Sequence, residues 1–148
     1  KLPIIKNGVS TITSISKEFK NKKIILFGIP GAFTPTCSEK HFPGYIKLYD
    51  SIIQKNIDSI YCLSVNDEYV MKSWLISYSE DHKIIGIADG NADFTKYNNL
   101  LSDKSKNFMG NRSSRFAMLV DNNEIKFIKI EKSGELNVSS AENILSVI

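Results

Sequence analysis

The chain has 148 residues, of which 42% are hydrophobic and 24% are charged, and its formal net charge is +3. We expect one domain over residues 1–148, because this length suits a single hydrophobic core. The positive excess is small and scattered, which argues against nucleic-acid binding. The longest apolar stretch, 24–33, is interrupted by two glycines and a proline, which argues against a membrane span.

The first predicted element is a buried strand over 24–29, because a short apolar run there ends at a Pro-Gly pair. A loop rich in glycine, proline and threonine follows this strand. A helix is predicted to begin near Cys37, since apolar residues recur after it at helical spacing on one face. These residues are Tyr45, Leu48, Tyr49, Ile52 and Ile53.

A second buried strand is predicted over 57–65. The pair Asn66-Asp67 has the side chains that cap helices, so a helix is predicted to begin there. A third strand is predicted over 83–88, and a short helix over 94–101. The apolar positions of the helix after Asp67 are Val70, Met71, Trp74, Leu75 and Tyr78.

Two later strands, 116–120 and 125–130, flank a polar turn and are predicted to form an antiparallel hairpin. Ser139 or Ser140 is expected to cap a last helix. Strands and helices alternate through the first two thirds of the chain. This order predicts an α/β fold with a mixed central sheet and helices on both faces.

The two cysteines stand in different settings. Cys62 lies inside an apolar run and is predicted to pack in the core. Cys37 follows the carboxyl end of the first predicted strand, where functional groups gather in sheets of this kind. So few cysteines favour a reducing intracellular compartment, the cytosol or an organelle, over a disulfide-bonded secreted protein.

Cys37 is the candidate nucleophile, and a nucleophilic cysteine reacts as its thiolate. The start of a helix favours an anion by only about 0.3–1 kcal/mol, so a fixed cation is needed as well. A guanidinium suits this role because it stays charged and offers several donors. The chain has two arginines, Arg112 and Arg115, just before the strand 116–120, and either is a candidate for this cation.

The run 28–38, with 39–45 after it, resembles the active-site signature of the peroxiredoxins. The likeness is closest to the subfamily that includes mammalian peroxiredoxin five and its plant and microbial type-two relatives. It extends through 62–67, 87–89 and 110–116, and so covers nearly the whole chain. The resemblance implies a thioredoxin-like fold and a thiol-dependent peroxidase that reduces hydroperoxides.

The resemblance also implies roles for four residues. Cys37 is the peroxidatic cysteine, and Pro30 shields its sulfur from bulk water. Thr34 holds and orients the peroxide through its hydroxyl. Arg115, rather than Arg112, stabilises the thiolate and polarises the O–O bond. No bound cofactor is expected, only an external thiol.

One departure from the subfamily changes the expected reaction cycle. Members with two catalytic cysteines place the second, resolving cysteine in a late loop, where this chain has Val138. Cys62, predicted inside a strand, is not expected to replace it. We therefore expect peroxide to oxidise Cys37 to a sulfenic acid that an external thiol reduces. Glutathione with glutaredoxin is favoured over thioredoxin, and Met109 stands where an aromatic residue often borders the pocket.

Other chemistries explain these residues less well. His41 stands four residues after Cys37, but no oxyanion-hole pattern accompanies this Cys–His pair. Two cysteines and two histidines lack the spacing of a zinc site. Lys40 stands where a thioredoxin-type Cys-x-x-Cys needs its second cysteine. The alternative from another class is a redox sensor that passes the oxidation of Cys37 to a partner protein.

A homodimer is a further expectation, since exposed apolar surfaces near the site often support one in this subfamily. Such a patch is one interpretation of four apolar residues, and packing in the core is the other. The four residues are Phe42, Tyr45, Phe108 and Met109.

Overall fold

The computed structural model describes residues 1–78 and 82–148. The strands are β1 (Leu2–Lys6), β2 (Val9–Thr13), β3 (Lys23–Ile29), β4 (Ser59–Ser64), β5 (Ile85–Ala88), β6 (Leu101–Asp103), β7 (Asn111–Ser113), β8 (Phe116–Asp121) and β9 (Glu124–Ile130). The helices are α1 (Ile15–Glu18), α2 (Phe42–Lys47), α3 (Tyr49–Ile53), α4 (Glu68–Ile76), α5 (Asp93–Tyr97) and α6 (Ala141–Val147). A π-helical turn spans Cys37–His41, and a 3-10 turn spans Ser105–Asn107.

The central sheet has the strand order β2-β1-β5-β4-β3-β8-β9. Strands β3, β4 and β5 run parallel, and the remaining neighbours pair antiparallel. One face of the sheet packs against α2, α3, α4 and α6, and the other against α1 and α5. This arrangement confirms the predicted mixed sheet with helices on both faces.

Strand β3 lies at the centre of the sheet because its sequence is apolar almost throughout. Six of its seven residues are buried, which is typical of a strand covered on both faces. Gly28 leaves room for a neighbouring ring, since a Cβ at this position would lie 2.0 Å from the ring of Phe116 on β8. The absence of a Cβ at Gly28 therefore lets the Phe116 side chain pack against β3. Phe116 is the first residue of β8 and directly follows Arg115.

Several predicted elements are confirmed with small shifts. Asp67 caps α4 by accepting hydrogen bonds from the backbone of Tyr69 and Val70, and β8 and β9 form the predicted hairpin. Ser140, rather than Ser139, caps α6. The helix predicted over 94–101 ends earlier than expected.

Other elements differ from the sequence-based predictions. The hairpin β1–β2 and the small sheet β6–β7 were not predicted. The helix predicted near Cys37 is a π-helical turn followed by two short helices. Phe42 and Tyr45 are fully buried, so of the two interpretations, packing in the core is confirmed for them and the exposed patch is wrong. Both side chains lie on the helical turns after Cys37 that pack against the central sheet, and they therefore join its core. No helix within the described ranges is long and apolar enough to cross a membrane.

Candidate active site

Cys37 is the first residue of the π-helical turn and has no exposed surface. The loop that leads to it leaves the carboxyl end of β3, in the centre of the sheet. Two side chains hold the turn in place. Trp74 Nε1 donates to Ser38 Oγ at 2.9 Å, and the Tyr78 hydroxyl donates to the Ser38 carbonyl at 2.6 Å. A π-helical turn is rare, and such turns occur frequently at functional sites.

The guanidinium of Arg115 contacts Cys37 directly. Its Nη2 lies 3.2 Å from Sγ, within hydrogen-bonding distance for sulfur. Arg112, the other arginine, instead donates from Nε to the Met109 carbonyl at 2.9 Å and from Nη1 to the Val65 carbonyl at 3.4 Å. Of the two candidate cations, the structure therefore places Arg115 at the sulfur and Arg112 on the surrounding loops.

His41 accepts a hydrogen bond from the other terminal nitrogen of the Arg115 guanidinium. Nη1 of Arg115 lies 2.9 Å from Nδ1 of His41, while Nε2 of His41 lies 3.0 Å from the Ser139 carbonyl. An arginine can only donate, so Nδ1 accepts and Nε2 carries the proton that goes to Ser139. Burial, together with the positive charge of Arg115, lowers the pKa of His41 to about 3. His41 is therefore neutral at physiological pH and serves Arg115 as an acceptor.

Glu131 ties the late loop to the same network. Its Oε2 accepts hydrogen bonds from the backbone N–H of Asn137 and from both the N–H and the hydroxyl of Ser139. Its own N–H donates to the Arg115 carbonyl at 2.9 Å. Burial alone would raise the pKa of Glu131, but these hydrogen bonds outweigh it and hold the pKa below its usual value. The carbonyl that orients His41 is thus fixed by a charged residue next to β9.

The loop before Cys37 is ordered by its own side chains. The hydroxyl of Thr34 donates to the Gly31 carbonyl at 2.7 Å, and the Thr34 carbonyl accepts from the N–H of Ser38 at 2.9 Å. Asn66 accepts from the N–H of Ala32 at 2.9 Å. The proton of the Thr34 hydroxyl is therefore committed to the backbone, which leaves the oxygen lone pairs as acceptors for a bound O–H group.

A polar cavity of about 280 Å³ opens beside Arg115. Pro30, Thr36 and Arg115 are among its lining residues, and Arg115 also contacts Cys37. Within residues 1–78 and 82–148, no group of three or more His, Cys, Asp or Glu side chains is placed to hold a metal ion. Met109 also lies at this end of the sheet, with Cε 3.4 Å from where a Cβ on Gly31 would stand.

Cys62 is buried on β4 and is a free thiol, as is Cys37. Burial raises the pKa of Cys62 well above its usual value, and the nearby Cys37 raises it further. The prediction that Cys62 packs in the core is confirmed. Sequence reasoning missed the roles of His41, Glu131 and Ser139 in the Arg115 network. Only the helical spacing of His41 from Cys37 gave a signal, because the other contacts join distant parts of the chain.

Comparison with known proteins identifies the family of this chain. Residues 6–145 match the Redoxin family. The chain is 46% identical over 135 residues to peroxiredoxin-2D of Arabidopsis thaliana, and the match covers 91% of this chain and 83% of that protein.

Two solved structures are similar over almost the whole chain. Reduced Prx3 in complex with hydrogen peroxide from Vibrio vulnificus has a TM-score of 0.91 and 40% identity, and covers 99% of this chain and 89% of its own. The Plasmodium falciparum antioxidant protein, a 1-Cys peroxiredoxin, has a TM-score of 0.91 and 40% identity, and covers 99% and 92%. These matches span both the fold and the cysteine loop, and the chain accordingly belongs to the peroxiredoxins, the thiol-dependent peroxidases.

Proposed function

We propose that Cys37 reduces hydroperoxides by direct attack on the peroxide. The thiolate sulfur attacks one oxygen, the O–O bond breaks, and the other oxygen leaves as an alkoxide or hydroxide that takes up a proton. Cys37 becomes a sulfenic acid, oxidised by two electrons, and the peroxide becomes an alcohol or water. The observation that carries this proposal is the 3.2 Å contact between Arg115 Nη2 and Cys37 Sγ.

Arg115 has two tasks in this reaction. Its charge stabilises the thiolate, and its donors stabilise the negative charge that develops on the departing oxygen. A guanidinium performs both tasks because it cannot lose its proton and offers several N–H groups in a fixed plane. His41 keeps that plane oriented by accepting from Nη1.

Thr34 and Pro30 prepare the site for the peroxide. With its proton committed to Gly31, the Thr34 hydroxyl offers lone pairs to the O–H of the peroxide. Pro30 has no backbone N–H to donate and covers the sulfur from bulk water at the side of the cavity. Thr34 thus orients the peroxide, while Pro30 keeps bulk water from the sulfur.

We further propose that an external thiol completes the cycle. Val138 occupies the late loop where a resolving cysteine would stand, and Cys62 is buried with a raised pKa. A monothiol then leaves a mixed disulfide on Cys37, a product on which glutaredoxin acts. We therefore favour glutathione with glutaredoxin over thioredoxin, in a reducing intracellular compartment.

The reductant is tested by following peroxide consumption with each reducing system. We expect glutathione with glutaredoxin to sustain many turnovers, and thioredoxin with its reductase to sustain far fewer. The Cys62→Ala variant is the matched control and should turn over with the same reductant at a similar rate. A cycle driven only by thioredoxin, or lost in Cys62→Ala, would contradict the one-cysteine scheme.

We also propose that the protein forms a homodimer through its exposed aromatic residues. Phe108 is 98% exposed and Phe33 is 58% exposed, and both have a positive φ, which is uncommon for a bulky residue. Sedimentation velocity should show a dimer, and Phe33→Ser with Phe108→Ser should shift it to a monomer. Sedimentation as a monomer at every concentration would contradict this proposal.

A further inference from the structure

The cavity beside Arg115 has a second wall that the reaction with peroxide does not use. Lys104, which follows β6, and Lys132, which follows β9, line this wall. Counting Arg115 and Glu131, three cations and one carboxylate surround the cavity, a net charge of +2. Ser102, Ser114, Ser133 and Gly134 complete the lining.

The positive charge of this wall is not neutralised inside the protein. Among the described residues, the salt bridges join other lysines to Glu18 and Glu124. The carboxylate of Glu131 already accepts three hydrogen bonds from the late loop. An anion that enters the cavity is therefore attracted by two lysines that hold no other charged partner.

The cavity is also larger than a peroxide requires. A water molecule occupies about 30 Å³ in the liquid, and hydrogen peroxide has only one more oxygen atom. The cavity volume is about 280 Å³. This volume suits a small organic molecule that places one group near Cys37 and others against the lysines.

We propose that this cavity binds the reducing thiol, a small molecule with carboxylates, and that Lys104 and Lys132 bind those carboxylates. The inference rests on the proposed peroxidase function, because only an oxidised Cys37 needs a reductant. Cys37 itself has no exposed surface, so the thiol can react only after a movement of the π-helical turn exposes the sulfur. Until that movement occurs, the two lysines hold the thiol beside the turn.

The reduction proceeds in two balanced steps. The sulfur of the first thiol attacks the sulfenic sulfur of Cys37, the S–O bond breaks, and the hydroxyl leaves as water with the thiol proton. A mixed disulfide remains on Cys37. A second thiol then attacks the sulfur of the bound small molecule, which releases the small-molecule disulfide and returns Cys37 to its reduced form.

Glutathione, which carries two carboxylates, and 2-mercaptoethanol, which carries none, are the two probes for this site. Full-length protein is oxidised with one equivalent of hydrogen peroxide and mixed with each thiol, and the intact mass reports the mixed disulfide on Cys37. The test variant is Lys104→Gln/Lys132→Gln. The matched control is Lys106→Gln, an exposed lysine outside the cavity lining.

The readout is the rate constant with glutathione divided by that with 2-mercaptoethanol in the same protein, so a partial loss of folded protein cancels. We expect this ratio to fall about fivefold or more in the double variant and to stay unchanged in Lys106→Gln. Added salt should narrow the difference between the proteins. An unchanged ratio in the double variant would overturn the proposal.

Two further outcomes separate this inference from others. If the thiol ratio is unchanged but the double variant loses its rate with a fatty-acid hydroperoxide relative to tert-butyl hydroperoxide, the lysines recognise the peroxide, and the assignment to the reductant is wrong. If hydrogen peroxide adds no oxygen to Cys37 in the wild-type protein, the proposed function itself fails, and the inference fails with it.

Discussion

Nη1 of Arg115 lies 2.9 Å from Nδ1 of His41, and this contact determines which way the guanidinium faces. The other side of the His41 ring donates to the Ser139 carbonyl, to which Tyr45 also donates. His41 is therefore fixed on both nitrogens, and Arg115 has one arm left for the sulfur of Cys37. The orientation of Arg115 beside Cys37 thus depends on a neutral histidine.

Replacing His41 tests this dependence. We expect His41→Phe to slow the oxidation of Cys37 by between about 10-fold and 10²-fold, because Arg115 loses the acceptor that positions it. His41→Gln should retain most of the rate, since an amide can accept from Arg115 and donate to Ser139. The rate constant is measured by rapid mixing with peroxide, with the fluorescence of the single tryptophan, Trp74, as the signal. Equal rates in His41→Phe and the wild type would refute a positioning role.

The lowered pKa of His41 predicts a dependence of stability on pH. Between pH 6.5 and 3 the unfolded chain binds a proton that the folded protein excludes, so the free energy of unfolding falls as the pH falls. We expect the titration of His41 to lower the free energy of unfolding of the wild type by about 2 kcal/mol between pH 7 and pH 5. Urea unfolding of His41→Gln provides the comparison, because glutamine does not titrate. The same loss in both proteins would show that His41 is not responsible.

The two arginines should behave differently when each is changed to methionine. Arg115→Met removes the donor at the sulfur, and we expect the oxidation of Cys37 to slow by about 10²-fold. Arg112→Met loses hydrogen bonds to two backbone carbonyls, so its main effect should be a loss of about 1 kcal/mol in stability. Rapid mixing and thermal unfolding measure the two effects. The reverse order of rates would mean that Arg112 is the catalytic cation.

The cysteines provide a second pair of variants. Cys37→Ser should abolish peroxide reduction, because serine is a poor nucleophile at neutral pH. Cys62→Ala should keep most of the activity, since Cys62 lies in the core and burial raises the pKa of its thiol. Peroxide consumption in the presence of excess thiol distinguishes the two variants. A similar loss from both changes would make Cys62 part of the reaction.

The elements nearest to Cys37 were predictable from local sequence. The apolar run of β3 predicted a buried central strand, and the loop after it placed Cys37 at the carboxyl end of that strand. Asp67 identified the start of α4, and the polar turn between β8 and β9 identified the hairpin. These signals are local, because each depends on residues within one strand, turn or cap.

The remaining features depend on contacts between distant residues. The bond between His41 and the Ser139 carbonyl spans 98 positions in the chain, and the bond between Arg115 and His41 spans 74. Strand β2 escaped prediction because it is an exposed edge strand with no apolar alternation. No local pattern specifies which partner a buried polar side chain will find.

The formation of a sulfenic acid on Cys37 is the central claim, and intact mass after one equivalent of hydrogen peroxide tests it most directly. The reduced protein is mixed with peroxide in the presence of a sulfenic-acid trap, and the modified residue is located by peptide mapping. We predict rapid formation of one trap adduct, on Cys37, that is absent when glutathione and glutaredoxin are added first. No adduct over minutes, or an adduct on Cys62 alone, would contradict the claim.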